Sequence, residues 1–257
     1  MSADEKLDRR EFVTFSLTAG AGGAVIGSAV FARPPAEEVT LHEGYDPRDF
    51  TWGFVVDTTR CIGCGSCVRA CAKENDVPEG YYRTWVERYE IAKDETINVQ
   101  SPRGAIAGFL RDGFGPDEAV MKAFFVPKLC NHCLASACTQ VCPVGATFHS
   151  PDGVILVDRT HCMGCGYCVQ ACPYGCRFLN QELGVADKCT LCYHRITRGL
   201  PTACVQACPV GARLCGNLDD EDSEIRKKLR ERRYGLLKPD LGTRPKCFYI
   251  GLDLEVV

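Results

Sequence analysis

Sixteen of the nineteen cysteines in this 257-residue chain fall into four groups of four. Cys61, Cys64, Cys67 and Cys71 are spaced C-x2-C-x2-C-x3-C, and Cys162, Cys165, Cys168 and Cys172 repeat that spacing. Cys130, Cys133, Cys138 and Cys142 read C-x2-C-x4-C-x3-C, while Cys189, Cys192, Cys204 and Cys208 read C-x2-C-x11-C-x3-C. Proline follows three of the last cysteines, at Pro143, Pro173 and Pro209, whereas Ala72 follows Cys71. In C-x2-C-x2-C a short loop wraps one face of an iron–sulfur cubane, so that three thiolates reach three irons. The fourth cysteine, three residues on, is expected to open a helix that points away and to ligate the neighbouring cluster. Gly63, Gly65, Gly164 and Gly166 let the loop backbone approach a cluster and aim N–H groups at its sulfurs. Two C-x2-C pairs also suit zinc, but zinc asks for neither a third cysteine two residues on nor C-x3-C-P. Disulfides fit poorly, because cysteines three apart in a tight loop seldom bridge and nineteen is an odd number. The spacing points to iron and sulfide.

The remaining chemistry is sparse. Hydrophobic residues at 46% and charged residues at 25% describe a globular chain, and a net charge of −3 provides no basic field for nucleic acid. No nucleotide-binding glycine pattern, hydrolytic constellation or C-x-x-C-H haem motif occurs. The chain is expected to carry electrons without being a catalyst itself. Cys176, Cys215 and Cys247 lie outside the groups, and Cys176 and Cys215 read most simply as buried small residues. His132 and His161 lie within or beside groups, where each is either a packed or surface histidine or a hydrogen-bond donor that tunes a cluster.

The elements that must hold these cysteines repeat as well. Val56-Asp57-Thr58-Thr59-Arg60-Cys61 parallels Val157-Asp158-Arg159-Thr160-His161-Cys162, and each follows an apolar run short enough for a strand. Cys142-Pro143-Val144-Gly145-Ala146 recurs as Cys208-Pro209-Val210-Gly211-Ala212. Strand, cluster loop and short helix, four times over, predict an α+β fold of two ferredoxin-like modules with two clusters each, over residues 52–215. Residues 1–32 hold Arg9-Arg10 and then an uncharged, glycine-diluted run from Phe12 to Ala32, the pattern of a twin-arginine export signal. The alternative is a single membrane anchor. Residues 33–51 read as a linker. The insertion 72–129 contains an expected strand at Tyr82–Tyr89 and a glycine-broken loop from Gly104 to Gly115, and would serve subunit contact or cover clusters. The C-terminal extension 216–257 reads as a charged helix over Asp219–Arg233, capped by Asp219 or Asp220, and then a strand near Lys246–Leu252 that returns to the body.

Four groups in this order resemble the four-cluster electron-transfer subunit of the molybdopterin oxidoreductases, the family of dimethyl sulfoxide, polysulfide, thiosulfate and tetrathionate reductases. Asp187-Lys188-Cys189-Thr190-Leu191-Cys192 and Cys204-Val205-Gln206-Ala207-Cys208-Pro209 are similar to its fourth group. The export signal and the tail from Lys238-Pro239 through Phe248-Tyr249-Ile250-Gly251-Leu252-Asp253 are most similar to the tetrathionate reductase type. The resemblance implies that groups one and four share a module and that two and three share the other. One cluster would then take Cys61, Cys64, Cys67 and Cys208, and a second Cys189, Cys192, Cys204 and Cys71. A third would take Cys130, Cys133, Cys138 and Cys172, and a fourth Cys162, Cys165, Cys168 and Cys142. Since Cys162 is present, all four would be 4Fe-4S centres. The partners implied are a molybdopterin-containing catalytic subunit and an integral-membrane quinone-binding subunit, at the periplasmic face of the cytoplasmic membrane. The alternative is a wire from a multihaem cytochrome to a membrane quinone protein, without molybdenum.

Overall fold

Phe54-Val55-Val56 form the middle of strand β1 (Trp52–Asp57), which is buried along nearly its whole length. Such a strand needs cover on both faces, and alternation supplies it. Phe54 and Val56 face the main core, which holds many of the cysteines, while Val55 packs with Ile225 and Ile250 on the other side. The computed structural model describes residues 43–109, 120–253 and 256. The segment 1–32 expected to be an export signal, the start of the expected 33–51 linker and residues 110–119 of the insertion lie outside the described residues.

After β1 come α1 (Ser66–Glu74), β2 (Thr84–Ala92), β3 (Ile97–Gln100) and β4 (Val120–Leu129). The middle of the chain holds α2 (Ala137–Gln140), β5 (Thr147–His149), β6 (Ile155–Val157), α3 (Tyr167–Gln170), β7 (Arg177–Asn180) and β8 (Val185–Lys188). It ends with α4 (Tyr193–Ile196), α5 (Ala203–Gln206), β9 (Arg213–Asn217), α6 (Glu224–Glu231), β10 (Tyr234–Gly235) and β11 (Cys247–Ile250). One sheet runs β10-β11-β1-β9, with β11 parallel and β9 antiparallel to β1. The insertion builds a second sheet, β3-β2-β4, and β5–β6 and β7–β8 are antiparallel hairpins. Helix α1 packs on α5, and α2 packs on α3. Among the described residues, no helix is long and apolar enough to cross a membrane.

Two expectations change and a third is narrowed. The fourth cysteine of a group does not open a helix. The short helices begin before the third cysteine and end before the fourth, so Cys142, Cys172 and Cys208 stand just past α2, α3 and α5. Proline is the reason, because the residue before it is pushed out of the helical region and a single turn must stop there. Group one has Ala72 in that place, and α1 accordingly runs for nine residues with Cys71 inside it. The second change concerns α6, which is capped by Ser223, whose side chain accepts from the Arg226 N–H. Asp220 instead holds the preceding turn, accepting from the Asp222 N–H at 2.9 Å. The third is the insertion, which lies over the group-one loop. Phe109 N–H donates to Gly63 O at 3.2 Å and Arg69 Nη1 to Ile106 O at 2.6 Å.

Candidate metal centres

The helix pairs bring distant cysteines together. Because α1 packs on α5, Cys208 comes beside Cys61 and Cys67, and its charge acts on both. Cys71 faces the other way: Cys189, Cys204 and Cys192 are its neighbours. These four thiols line one narrow cavity, closed by Phe54, Thr84 and Leu129. In the other half Cys133 and Cys138 neighbour Cys130 and Cys172. Cys162 and Cys168 are buried with Ile155 and Val185 in a small cluster against which Cys142 packs, and Cys165, on the same loop, is exposed. Call these sets one to four, in the order Cys61/64/67/208, Cys189/192/204/71, Cys130/133/138/172 and Cys162/165/168/142.

The thiols of set two stand around the walls of a space. Among the described residues, no three His, Cys, Asp or Glu side chains converge on the position of a single ion. A mononuclear zinc site asks for that convergence, whereas a cubane needs its thiolates spread over four corners. Burial raises the Cys61 and Cys133 thiols to about 11 and pushes Cys71 and Cys189 up as well. At these four thiols iron must therefore displace protons as it binds, whereas Cys172 is lowered to about 6, chiefly by its hydrogen bond with Cys176.

Backbone N–H groups point at the sulfurs. Leu191 N–H donates to Cys189 Sγ at 3.4 Å, Ala212 N–H to Cys208 Sγ at 3.2 Å and Ala186 N–H to Cys162 Sγ at 3.4 Å. Such donors stabilise electron-rich sulfur. The loops also hold unusual backbone: Leu191, Cys192 and His132 all adopt positive φ, at 54°, 48° and 44°, a conformation L-residues take at a cost. Gly65 shows how tight the loops are, with φ at 70° and space for its missing Cβ only 2.1 Å from Ala105 O.

A second layer of polar groups backs these loops. Asn75 Nδ2 reaches Cys71 Sγ at 3.6 Å and Cys192 Sγ at 3.8 Å. Arg83 holds it by donating to Asn75 Oδ1 at 3.0 Å, and is itself paired with buried Asp187 at 2.9 Å. Arg177, Lys188 and Arg213 are buried among the thiols, and sequence reasoning missed all three. A signal existed. Thr147, Arg177 and Arg213 each stand five residues after the last cysteine of a group, the same place in the Cys-Pro repeat. His132 is buried, its Nδ1 accepting from the Ile155 N–H at 3.0 Å, whereas His161 is exposed and pairs with Asp158 at 2.6 Å. Cys176 and Cys247 are buried, and Cys215 is half-buried.

Known proteins carry the same pattern. Residues 60–146 and residues 121–218 each match a model described as a 4Fe-4S dicluster domain. A tetrathionate reductase subunit of Salmonella typhimurium is 41% identical over 239 residues, covering 92% of this chain and 84% of that protein. The chain belongs to the iron–sulfur subunit family of the tetrathionate and dimethyl sulfoxide reductases. Within this family, the putative dimethyl sulfoxide reductase iron-sulfur subunit of Halobacterium salinarum is 37% identical, covering 79% of this chain and 80% of that protein. Protein NrfC of Escherichia coli is 36% identical, covering 94% of each. The two dicluster matches overlap across group two. Along the sequence this chain thus reads as overlapping dicluster units, while in space its group one lies against group four.

Proposed function

We propose that the chain is the electron-transfer subunit of a respiratory reductase complex. It relays electrons through four 4Fe-4S clusters between a molybdopterin catalytic subunit and a membrane quinone subunit, on the periplasmic side of the membrane. Each of the four thiol sets would hold one cluster. When bound, the clusters supply one-electron reduction and oxidation without a change of ligands. The protein's own part is to hold sixteen thiolates, to direct N–H groups at their sulfurs, and to keep water from set two with Phe54, Thr84 and Leu129.

The observation that carries this reading is continuity. Cys67 of set one neighbours Cys204 of set two, Cys189 of set two neighbours Cys130 of set three, and Arg177 reaches both Cys138 of set three and Cys168 of set four. Four sites joined in this way support a serial path, and a serial path needs a donor at one end and an acceptor at the other. The family's reductase membership supports the catalytic partner.

The test is anaerobic purification of the intact complex, with iron, acid-labile sulfide and molybdenum measured and the co-purifying subunits identified. About sixteen irons and as many sulfides for each chain, together with a molybdopterin subunit, are expected. Stoichiometric zinc with little sulfide overturns the cluster reading. A multihaem cytochrome in place of molybdenum overturns the choice of partner.

A further inference from the structure

Buried basic side chains in this protein fall into two kinds. Arg83 and Lys128 have carboxylates, Asp187 at 2.9 Å and Glu87 at 2.7 Å. Lys246 has the Asp152 charge beside it and, among the thiols, only Cys130 and Cys133 of set three, whereas Arg177, Lys188 and Arg213 are 5%, 1% and 3% exposed. Among the described residues, no carboxylate lies within ion-pair distance of any of these three. Two guanidinium nitrogens, Arg177 Nε and Arg213 Nη2, are buried without any hydrogen-bond partner. A cation removed from water and left without a counter-charge is costly, so something anionic must belong beside it. The groups around these three are thiols.

Their placement is regular. Arg213 follows Ala212, whose N–H donates to Cys208 Sγ of set one at 3.2 Å. Its Nη1 donates to Thr84 Oγ1 at 3.0 Å, and Thr84 lines the set-two cavity. Arg213 therefore lies between sets one and two. Lys188 precedes Cys189 of set two and donates from Nζ to Cys189 O at 2.8 Å and to Ile155 O. Cys130 and Cys138 of set three also act on it, which puts Lys188 between sets two and three. Arg177 stands directly opposite Lys188 across the β7–β8 hairpin. Its Nη2 donates to Cys138 Sγ of set three at 3.0 Å and its Nη1 to Thr147 at 3.3 Å, while Cys168 of set four is also beside it.

We propose that Arg213, Lys188 and Arg177 are the buried counter-charges of the electron path, one in each of its three gaps, and that each raises the reduction potential of both cluster sites flanking it. The proposal rests on the four-cluster reading above. In a 4Fe-4S site the four thiolates outweigh the positive core, so each site is an anion, and reduction adds another negative charge. A fixed cation in a low-dielectric gap makes that addition easier on either side. These are positioning residues: they touch sulfur or the walls of a site and act through the field. A guanidinium suits the task because it stays charged when buried.

The loaded complex tests this by redox titration followed by electron paramagnetic resonance, with iron content measured in parallel, for wild type, Arg213→Gln, Lys188→Gln and Arg177→Gln. Each glutamine variant should shift two of the four midpoint potentials to lower values and leave the other two in place. The pairs moved by Arg213→Gln and Arg177→Gln should share no member, and Lys188→Gln should move one member of each pair. Arg213→Lys, Arg177→Lys and Lys188→Arg should stay near wild type. Fully loaded glutamine variants with unchanged potentials, or with all four shifted together, overturn the proposal. If a glutamine variant loses iron, the charge-conserving variant at that position decides. Loaded protein with wild-type potentials supports the charge role, and loss of iron there too assigns the residue to packing and overturns it. Wild-type protein without 4Fe-4S clusters overturns the four-cluster reading instead.

Discussion

At the scale of single residues, Cys71 separates the possible architectures. It lies three residues after Cys67 on the same helix, yet its neighbours are Cys189, Cys192 and Cys204. Cys71→Ser is therefore expected to convert or empty the cluster of set two and to leave set one with its four thiols. Serine oxygen is a hard donor and a poor substitute for thiolate toward iron–sulfur clusters. Spectroscopy that distinguishes the centres checks it, and damage confined to the Cys61 site would mean that each group serves itself. The sixteen grouped cysteines were legible because their spacing is local and a loop of three thiols has few other uses. The buried cations were not. An arginine after a Cys-Pro turn reads as a solvated surface base, and only the fold shows that Arg177 and Arg213 turn inward to 5% and 3% exposure.

At the scale of elements, the cluster loops end in helices whose lengths follow the next residue. Proline after Cys142, Cys172 and Cys208 leaves helices of four residues before them, and Ala72 allows nine. The glycines at the helix starts are alike in φ and differ in room. Gly65, at φ 70°, would place a Cβ 2.1 Å from Ala105 O, whereas Gly166, at φ 78°, would meet only Leu179 Cδ1 at 3.6 Å. Gly65→Ala is expected to cost about 3 kcal/mol, strain and clash together, and to lower iron at set one. Gly166→Ala should cost only about 1 kcal/mol, the left-handed strain alone. Thermal unfolding of the loaded proteins would rank them, and equal losses would mean that the insertion does not press on the group-one loop. Strand β2 (Thr84–Ala92), expected at Tyr82–Tyr89, could be read from its aromatic and β-branched residues, though the expected range is displaced toward the N-terminus. The insertion's contact with Gly63 and Gly65 could not, since nothing local encodes which loop a sheet will cover. The same holds for β11: its apolar residues announced a strand, but a parallel partner far back in the chain is decided only by the assembled core.

At the scale of the whole molecule, residues 243–250 stitch the halves together. Leu134 and Ala135 N–H donate to Arg244 O at 2.9 Å and Thr243 O at 3.0 Å, and Lys246 N–H donates to Asn131 O at 2.9 Å, all on the group-two loop. Four residues of β11 then pair with β1 in the other half. A chain ended at Gly242 is expected to lose iron from both halves and to expose the faces of β1, which iron analysis and limited proteolysis would detect; wild-type iron content would refute it. Export is the other question at this scale. Replacing Arg9 and Arg10 together with lysine is expected to leave loaded protein in the cytoplasm, and cell fractionation would show it; normal accumulation outside would assign export to a partner's signal. The nesting of the thiol sets also has a consequence for synthesis. As the chain leaves the ribosome from its N-terminus, Cys172 completes sets three and four, while the group-one loop still waits for Cys208 and β1 waits for β11. That middle pair has its ligands early, although the group-two loop is fastened only when residues 243–246 arrive. The outer pair, begun first and completed last, must stay open and unoxidised longer, so the ligand sets are completed from the middle of the chain outward.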